Sequence, residues 1–220
     1  MMVWFETILV ALTAVTGLVW LLDKLFLAKR RVAAAGPLDE VKEPVAVDYS
    51  KAFFPILLLV LGVRSFVAEP FRIPSSSMMP TLLIGDFILV NKFSYGLRWP
   101  ITNKKFLANG EPTRGEVAVF RPPHHPREDW IKRIIGLPGD TIGYHGNKLT
   151  VNGREVPYRM EGVYQGVGQG ADMTGASRLT EGLPGRPHFV LRRDETPLFY
   201  QGEGDWTVPE GHYFVMGDNR

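Results

Sequence analysis

Two long apolar stretches begin the chain, and each has the composition of a membrane-spanning helix. Residues 1–22 contain a single charged side chain, Glu6, and their length matches the ~20 residues that cross a ~30 Å hydrocarbon core. Residues 52–67 form a shorter apolar run with Arg64 near one end, where its side chain can reach the polar interface. We predict transmembrane helices at both places, although the second run taken alone also suits a buried core helix.

The stretch between these runs, residues 23–51, is polar and basic. Its cationic side chains are Lys24, Lys29, Arg30, Arg31, Lys42 and Lys51. A short basic loop stays in the cytoplasm by the positive-inside rule. The pattern therefore predicts a cytoplasmic loop, with a small-residue linker at residues 33–36 and both apolar runs leading outward. A cleaved signal peptide would carry basic residues ahead of its apolar run, whereas here they follow it.

Beyond residue 67 the pattern changes to short runs rich in β-branched and aromatic residues, separated by glycine turns. Asn152-Gly153 lies between two such runs, which is a strong signal for a hairpin with a type I′ turn. No amphipathic helix is evident, so residues 68–220 are predicted to form a mainly β domain, an antiparallel sheet or partly open barrel. Residues 161–187 are rich in glycine, proline and small polar residues and predict a loop-rich insert.

Composition narrows the function classes only in part. Hydrophobic residues make up 45% of the chain and charged residues 22%, which is typical of a folded protein. The net charge of +2 gives no indication of a nucleic-acid partner. The chain has no cysteine, which excludes disulfides, thiol catalysis and zinc-thiolate sites but leaves the redox compartment open.

Three consecutive serines, residues 75–77, follow the second apolar run and raise the question of a nucleophile. A serine hydroxyl needs a base. The five histidines show no metal-binding spacing, and a histidine-based triad stays open because triads are recognised by geometry. If residues 130–135 form a strand, Lys132 lies between apolar neighbours, and burial would lower its pKa into the range of a general base. The other interpretation is a solvent-facing edge strand.

Four segments in order resemble the motif boxes of type I signal peptidases, the bacterial leader peptidases. They are "PSSSMMPTLLIGDFILVNKFSYG" (74–96), "GEVAVFRPP" (115–123), "IKRIIGLPGD" (131–140) and "MGDNR" (216–220). The resemblance extends from about residue 66 onward, and the two predicted spans agree with it. It implies a serine/lysine dyad protease that removes signal peptides from exported preproteins on the outer side of the bacterial cytoplasmic membrane.

The resemblance also implies roles for individual residues. Ser77 matches the nucleophile, Lys132 the general base, and Ser75 the hydroxyl that joins the Ser77 amide in an oxyanion hole. Ser76 has no implied role, and Arg133 could pair with a carboxylate. Shallow pockets that favour alanine at the first and third positions before the cut would be lined by Phe71, Ile73, Pro74, Met78, Leu82, Ile88, Val119, Trp130 and Ile131. Ordinary core packing is the other interpretation of these apolar side chains, most of all for Leu82 and Val119.

No cofactor is implied, because the dyad needs neither a metal nor a nucleotide. The implied partners are signal-peptide-bearing preproteins and the phospholipid membrane, with the protein export machinery left open. Ser77 follows the second span by about ten residues, which suits a cleavage site at the outer membrane surface. Trp99 lies in "YGLRWPI" and suits either the membrane interface, where tryptophan is favoured, or the protein core.

The family pattern continues past the "GDNR" box with polar residues that support the lysine. We therefore expect the outer domain, as it stands at Arg220, to be incomplete at its C-terminal end. A self-cleaving repressor protease shares the dyad, but the two spans and the "GLPGD" box argue against it. A non-catalytic, membrane-anchored β domain that binds exported chains remains the alternative function.

Overall fold

A computed structural model describes residues 2–34, 42–126, 128–193 and 202–220. The chain divides into two compact units. The first contains Met1–Glu69 and Asn91–Gly110, and the second contains Pro70–Val90 and Glu111–Arg220. The predicted membrane helices belong to the first unit and all the predicted chemistry belongs to the second.

Two long helices dominate the first unit. In chain order the helical elements are α1 (Met2–Leu22), a π-helical turn (Asp23–Leu27), α2 (Ala28–Ala34), α3 (Val45–Gly62) and a second π-helical turn (Val63–Val67). Together they give two continuous helices, Trp4–Ala34 and Val45–Val67, each long and apolar enough to cross a membrane, and few of their side chains are buried.

At both ends of the predicted cytoplasmic loop, residues 23–51, the chain is helical, over residues 23–34 and 45–51. Residues 23–34 contain neither glycine nor proline, so nothing stops the helix when the sequence turns from apolar to basic. Arg31 forms a paired contact with the buried Asp23, with Nη2 donating to Oδ2 at 2.8 Å. Residues 35–41, including the end of the predicted linker, lie outside the described residues.

A glycine allows α1 and α3 to approach closely. A Cβ on Gly17 would lie 2.5 Å from the ring of Phe54, and that ring packs against Trp20 with 5.5 Å between centroids. A cavity of about 420 Å³ opens beside this contact. Its lining carries no ionisable side chain.

The remaining elements are short strands. They are β1 (Ala68–Arg72), β2 (Phe87–Asn91), β3 (Leu97–Arg98), β4 (Lys105–Leu107), β5 (Val117–Phe120), β6 (Trp130–Gly136), β7 (Thr141–His145), β8 (Lys148–Val151), β9 (Arg154–Glu155), β10 (Tyr158–Val163), β11 (Ser177–Glu181), β12 (His188–Arg192), β13 (Gly204–Thr207) and β14 (Phe214–Met216). The sheet orders are β1-β2, β3-β4, β14-β6-β5, β13-β7-β8-β9 and β10-β11-β12. The mainly β, antiparallel prediction is confirmed, and the sheets do not close into a barrel.

The Asn152-Gly153 turn is confirmed as well. These two residues join β8 to β9 with φ values of 54° and 74°, and Val151 pairs with Arg154 across the turn. Both central residues therefore lie in the left-handed region that a type I′ turn requires. The core beside this hairpin is built from the buried side chains of Ile135, Ile142, Tyr144, Leu149, Val151, Val156, Leu183 and Val208.

The insert at residues 161–187 is more regular than predicted. With its flanks it forms the three-stranded sheet β10-β11-β12, in which Leu179 pairs with Val190 and both are buried. Gly162, with φ 136°, stands at an irregularity in the β10-β11 register. Such glycines interrupt the alternation of apolar and polar residues, so the sequence pattern predicted a loop.

Candidate active site

The structure brings Ser77 and Lys132 together. Ser77 lies in a short 3₁₀ turn, Ser76–Met78, and Lys132 lies in the middle of β6. The Lys132 Nζ atom is 2.5 Å from the Ser77 Oγ atom, although 55 residues separate them in the chain. Both side chains are half-buried. This geometry suits proton transfer between the hydroxyl and the amine.

β6 gives Lys132 a largely apolar setting. It is the central strand of β14-β6-β5, which rules out the edge-strand interpretation. Ile131 and Ile134 are buried at 4% and 3% exposure, and Ala118 lies opposite Lys132 on β5. Burial lowers the pKa of Lys132 below its usual value of 10.5, while the negative charge of Asp218 acts in the opposite direction. A lysine with a lowered pKa is neutral more often at a given pH and is then able to accept a proton.

The Ser75 hydroxyl lies close to the Ser77 hydroxyl. Ser75 is extended and exposed, and its Oγ atom lies 3.3 Å from the Ser77 Oγ atom. At that distance the Ser75 hydroxyl is placed to donate a hydrogen bond to an oxyanion that forms when Ser77 attacks a carbonyl group. The backbone carbonyl of Ser76 accepts a hydrogen bond from the Asn219 side chain at 3.2 Å.

The segment 217–220 supports the turn that carries Ser77. The Asn219 backbone N–H donates to the Ser77 carbonyl at 3.2 Å, in addition to the bond from its side chain to Ser76. A Cβ on Gly217 would lie 2.3 Å from the Ser77 carbonyl oxygen. Residue 217 therefore has to be glycine for this segment to approach Ser77 so closely.

Arg133, the neighbour of Lys132 in β6, forms a buried ion pair with Asp218. Asp218 is fully buried and accepts two hydrogen bonds from Arg133, from Nε at 2.9 Å and from Nη2 at 2.6 Å. Thr81 Oγ1 donates to the same carboxylate at 2.5 Å. Arg133 also donates to the Gly115 carbonyl at 2.7 Å. The ion pair thus connects the strand of Lys132, the segment after Ser77 and segment 217–220.

A second buried carboxylate, Glu181 of β11, anchors the same segment. Arg220 donates to both of its oxygens, at 2.6 and 2.7 Å, and Tyr158 donates to it at 3.0 Å. His188 Nε2 lies 3.0 Å from a Glu181 oxygen and 3.7 Å from an Asp218 oxygen. Neither contact has the geometry of a hydrogen bond. Burial alone would raise the pKa of Glu181, but the contacts with His188 and Arg220 outweigh burial and hold it at about 2.

We expect Glu181 to make the protein acid-sensitive. Its carboxyl has a pKa of about 2 when folded and 4.5 as its ordinary value. Its stabilisation is therefore complete above pH 4.5 and is lost as the pH falls toward about 2. Glu181→Gln should lower the free energy of unfolding at pH 7 by roughly 3 kcal/mol and remove this slope. Unfolding followed in detergent between pH 7 and pH 2 tests this. Glu210→Gln, at an exposed site, is the control, and an unchanged acid slope in Glu181→Gln would contradict it.

Comparison with known proteins decides the family. The sequence model of the family described as "Signal peptidase, peptidase S26" matches residues 46–220. This chain belongs to the signal peptidase family. It is 44% identical to the signal peptidase I of Pseudomonas fluorescens and 43% identical to that of Pseudomonas aeruginosa, over 98% of this chain and 79% of each relative. The signal peptidase I of Aquifex aeolicus is 36% identical over 76% of this chain and 71% of its own length.

The predicted resemblance to signal peptidases is therefore confirmed. Together with such relatives, the two long apolar helices make the chain a membrane-anchored protein. Among the described residues, no three His, Asp or Glu side chains cluster in a way that would hold a metal ion.

The predicted pocket residues of this family member differ in exposure. Phe71, Ile73, Met78 and Ile131 are buried, Leu82, Ile88 and Val119 are half-buried, and Pro74 and Trp130 are exposed. Ile73 and Met78, at 1% and 0% exposure, show the burial that core packing gives. Trp130 stacks on His125 with 5.7 Å between ring centroids. Contact between these side chains and a substrate remains a prediction.

Sequence reasoning missed several residues around the dyad. It left the carboxylate partner of Arg133 unnamed, and it gave no role to Thr81, Asn219 or Glu181. The "MGDNR" box contained two of these groups, Asp218 and Asn219, and that motif was the available signal. Glu181 lies in the stretch predicted as a loop, so no pattern indicated that its carboxylate would be buried.

Proposed function

We propose that this signal peptidase family member is a serine endopeptidase that removes N-terminal signal peptides from exported preproteins. Ser77 is its nucleophile and Lys132 its general base. The observation that carries the proposal is the 2.5 Å distance between Lys132 Nζ and Ser77 Oγ, combined with the lowered pKa of Lys132. The names of the relatives, signal peptidase I, support the choice of substrate.

The proposed reaction proceeds through an acyl-enzyme. Neutral Lys132 accepts the Ser77 proton as Oγ bonds to the carbonyl carbon before the scissile bond. The Ser77 N–H and the Ser75 hydroxyl donate to the resulting oxyanion. The carbon–nitrogen bond then breaks, and the Lys132 ammonium gives its proton to the leaving amine. A water molecule, deprotonated by Lys132, attacks the ester, and the Ser77 oxygen leaves and regains a proton.

Substrate choice and orientation are parts of the same proposal. Shallow apolar pockets near Ser77 would accept alanine at the first and third positions before the cut and exclude larger side chains. The basic end of the first helix, residues 28–34, would face the cytoplasm by the positive-inside rule. The peptidase unit would then face the outer side of the membrane, where exported chains arrive.

The test is cleavage of a preprotein with an Ala-x-Ala site by the protein in lipid vesicles. Ser77→Ala should lower the cleavage rate by about 10⁴-fold or more, because both covalent steps are lost. Ser76→Ala is the matched control, since it removes the adjacent hydroxyl and should leave the rate within a few-fold of the parent. Phenylalanine in place of the alanine before the cut should stop cleavage if the pockets are shallow.

Covalent labelling separates catalysis from the alternative of a non-catalytic binding domain. An acylating β-lactam inhibitor should label the parent at Ser77 and leave Ser77→Ala unlabelled. A parent protein that binds the preprotein but neither cleaves it nor takes the label would overturn the proposal in favour of the binding domain.

A further inference from the structure

Met79 follows the turn that carries Ser77, and its side chain is completely buried. The Met79 N–H donates to the Ser76 carbonyl at 3.0 Å, which closes this turn. Only two peptide units separate Met79 from Ser77, and peptide units are planar and stiff. A displacement of the Met79 side chain is therefore transmitted to Ser77, so the surroundings of Met79 determine where the Ser77 hydroxyl lies.

The surroundings of Met79 come from a distant part of the sequence. Met79 lies in a small apolar cluster, separate from the core beside the Asn152-Gly153 hairpin, and residues from the insert make up most of it. The buried members besides Met79 are Met173, Ala176 and Leu191, and the partly buried side chains packed against them are Leu83 and Tyr164. Three of these residues belong to the connection between β10 and β11, residues 164–176, which we call the 164–176 loop.

The 164–176 loop has a regular structure with one buried face. Its centre is a 3₁₀ helix, Gly168–Met173, and side chains three residues apart lie on the same face of such a helix. The buried residues of the loop are Gly170, Met173 and Ala176, which follow this spacing. Backbone bonds join its two ends, from the Tyr164 N–H to the Ala176 carbonyl at 2.8 Å and from the Gly175 N–H to the Tyr164 carbonyl at 3.0 Å. The loop thus presents a fixed surface to Met79.

Gly170 is the residue at which this surface meets Met79 most tightly. A Cβ on Gly170 would lie 3.0 Å from Met79 Cε, 3.3 Å from the Tyr164 hydroxyl oxygen and 3.7 Å from Leu83 Cδ2. Carbon atoms in ordinary contact are about 3.5–4.0 Å apart, so a methyl group here would press on Met79. Gly170 has no positive φ, so its backbone accepts alanine. The neighbouring side chains, and not the backbone, therefore call for glycine at this position.

Strand β12 connects the same cluster to segment 217–220. Leu191, which is 0% exposed, contributes its side chain to the cluster around Met79. Its N–H donates to the Asp218 carbonyl and its carbonyl accepts from the Arg220 N–H, both at 2.8 Å. Since the Asn219 N–H donates to the Ser77 carbonyl, the insert reaches the Ser77 turn by two routes. One route is the Met79 side chain, and the other is the backbone of segment 217–220.

We propose that the 164–176 loop positions Ser77 for catalysis. Gly170 and Met173 act through Met79 and hold the Ser77 hydroxyl at the distance from Lys132 that proton transfer needs. They are positioning residues, because they act on the turn rather than on the reacting atoms. The inference rests on the proposed function, in which Ser77 and Lys132 react. A misplacement of reacting atoms by a fraction of an ångström lowers the rate of the chemical step, so the loop should affect kcat more than KM.

The first test adds a methyl group against Met79. For an Ala-x-Ala preprotein in lipid vesicles, Gly170→Ala should lower kcat about 10-fold and leave KM within about two-fold. Met79→Leu removes the terminal methyl group that the new Cβ would press on and keeps the site apolar. Gly170→Ala combined with Met79→Leu should therefore regain a kcat within about three-fold of that of Met79→Leu alone. Gly62→Ala is the control, because a Cβ there would meet nothing within 4 Å, and its kcat should equal that of the parent.

The second test removes packing from the same cluster and separates positioning from stability. Met173→Ala leaves a cavity in the cluster that holds Met79 and should lower kcat about 10-fold. Leu149→Ala leaves a cavity of the same kind in the other cluster and should lower the unfolding temperature by a similar amount, with kcat within about two-fold of the parent. Equal losses of kcat in Met173→Ala and Leu149→Ala would reduce the loop to a stabilising role and overturn the proposal. A parent-like kcat in both Gly170→Ala and Met173→Ala would overturn it as well.

Hydrogen exchange tests the position of the turn without relying on catalysis. The backbone amides of residues 76–79 should exchange faster in Gly170→Ala and Met173→Ala than in the parent, and should exchange as in the parent in Leu149→Ala. A parent protein that neither cleaves the preprotein nor takes the β-lactam label would contradict the proposed function, and exchange then decides the structural part alone. Parent-like exchange at residues 76–79 in both loop variants would overturn the inference that the loop positions this turn.

Discussion

Replacing Lys132 with methionine is expected to lower kcat/KM for signal-peptide cleavage by about 10⁴-fold while the protein stays folded. Methionine has a similar length, fills apolar surroundings well and removes the cost of burying an amine. The Ser77 hydroxyl loses the only base within hydrogen-bond distance of it among the described residues. Cleavage assays and thermal unfolding of the same preparation measure the two effects separately.

Lys148→Met is the matched control for this substitution. Lys148 is an exposed lysine of β8 whose nearest carboxylate, Glu155, lies 3.5 Å away, so the same change there should leave kcat/KM unaltered. Retention of most of the activity in Lys132→Met, with an unchanged unfolding temperature, would mean that another group activates the nucleophile.

The pH dependence of kcat/KM in the parent protein is an independent test of Lys132 as the general base. Only the neutral amine accepts the serine proton, so kcat/KM should rise as the pH increases through the pKa of Lys132. Burial lowers that pKa below 10.5, which places the midpoint of the rising limb below pH 10.5. A midpoint at or above this value would contradict a buried lysine base.

Asp218→Asn is expected to have the largest effect on stability. It leaves the guanidinium of Arg133, which is 6% exposed, without a counter-charge, and such a loss typically costs about 3–5 kcal/mol of unfolding free energy. The same change removes a charge that raises the pKa of Lys132. In molecules that remain folded, the rising limb of kcat/KM should therefore move to lower pH.

Denaturant and thermal unfolding in detergent measure the first effect and the pH profile measures the second. Glu155→Gln is the control, because it breaks the exposed pair with Lys148 and should cost less than about 1 kcal/mol. A loss for Asp218→Asn no larger than that of the control would show that Arg133 is compensated by its bonds to Gly115 and Thr81 alone.

The sequence predicted the parts of this site that depend on local patterns. Lys132 lies between apolar neighbours in a strand, and the alternation of residues 130–135 was enough to suggest a buried base. Ser77 was singled out among three serines by its motif. The Asn152-Gly153 turn was predictable because two consecutive residues determine its backbone geometry.

The parts that depend on distant contacts were not predictable in the same way. Asn219 bonds to Ser76 across 143 residues of sequence, and no periodicity records such a pairing. Glu181 is a charged residue with 0% exposure, whereas charged residues are almost always found at the surface. The first helix continues past residue 22 because helix formation depends on local propensity rather than on the boundary of the apolar run.

The distance in sequence between the parts of the site has a consequence for how the protein matures. The Ser77 turn, the strand of Lys132 and the Asn219 segment meet only when residues far apart in synthesis have folded onto one another. Contacts of such long range form after local ones, and synthesis runs from the N-terminal end. A nascent chain therefore carries Ser77, the proposed nucleophile, while residues 78–216 are made and before segment 217–220 exists to support it. If the proposed function is right, the order of synthesis delays proteolytic activity until the supporting segment has been made.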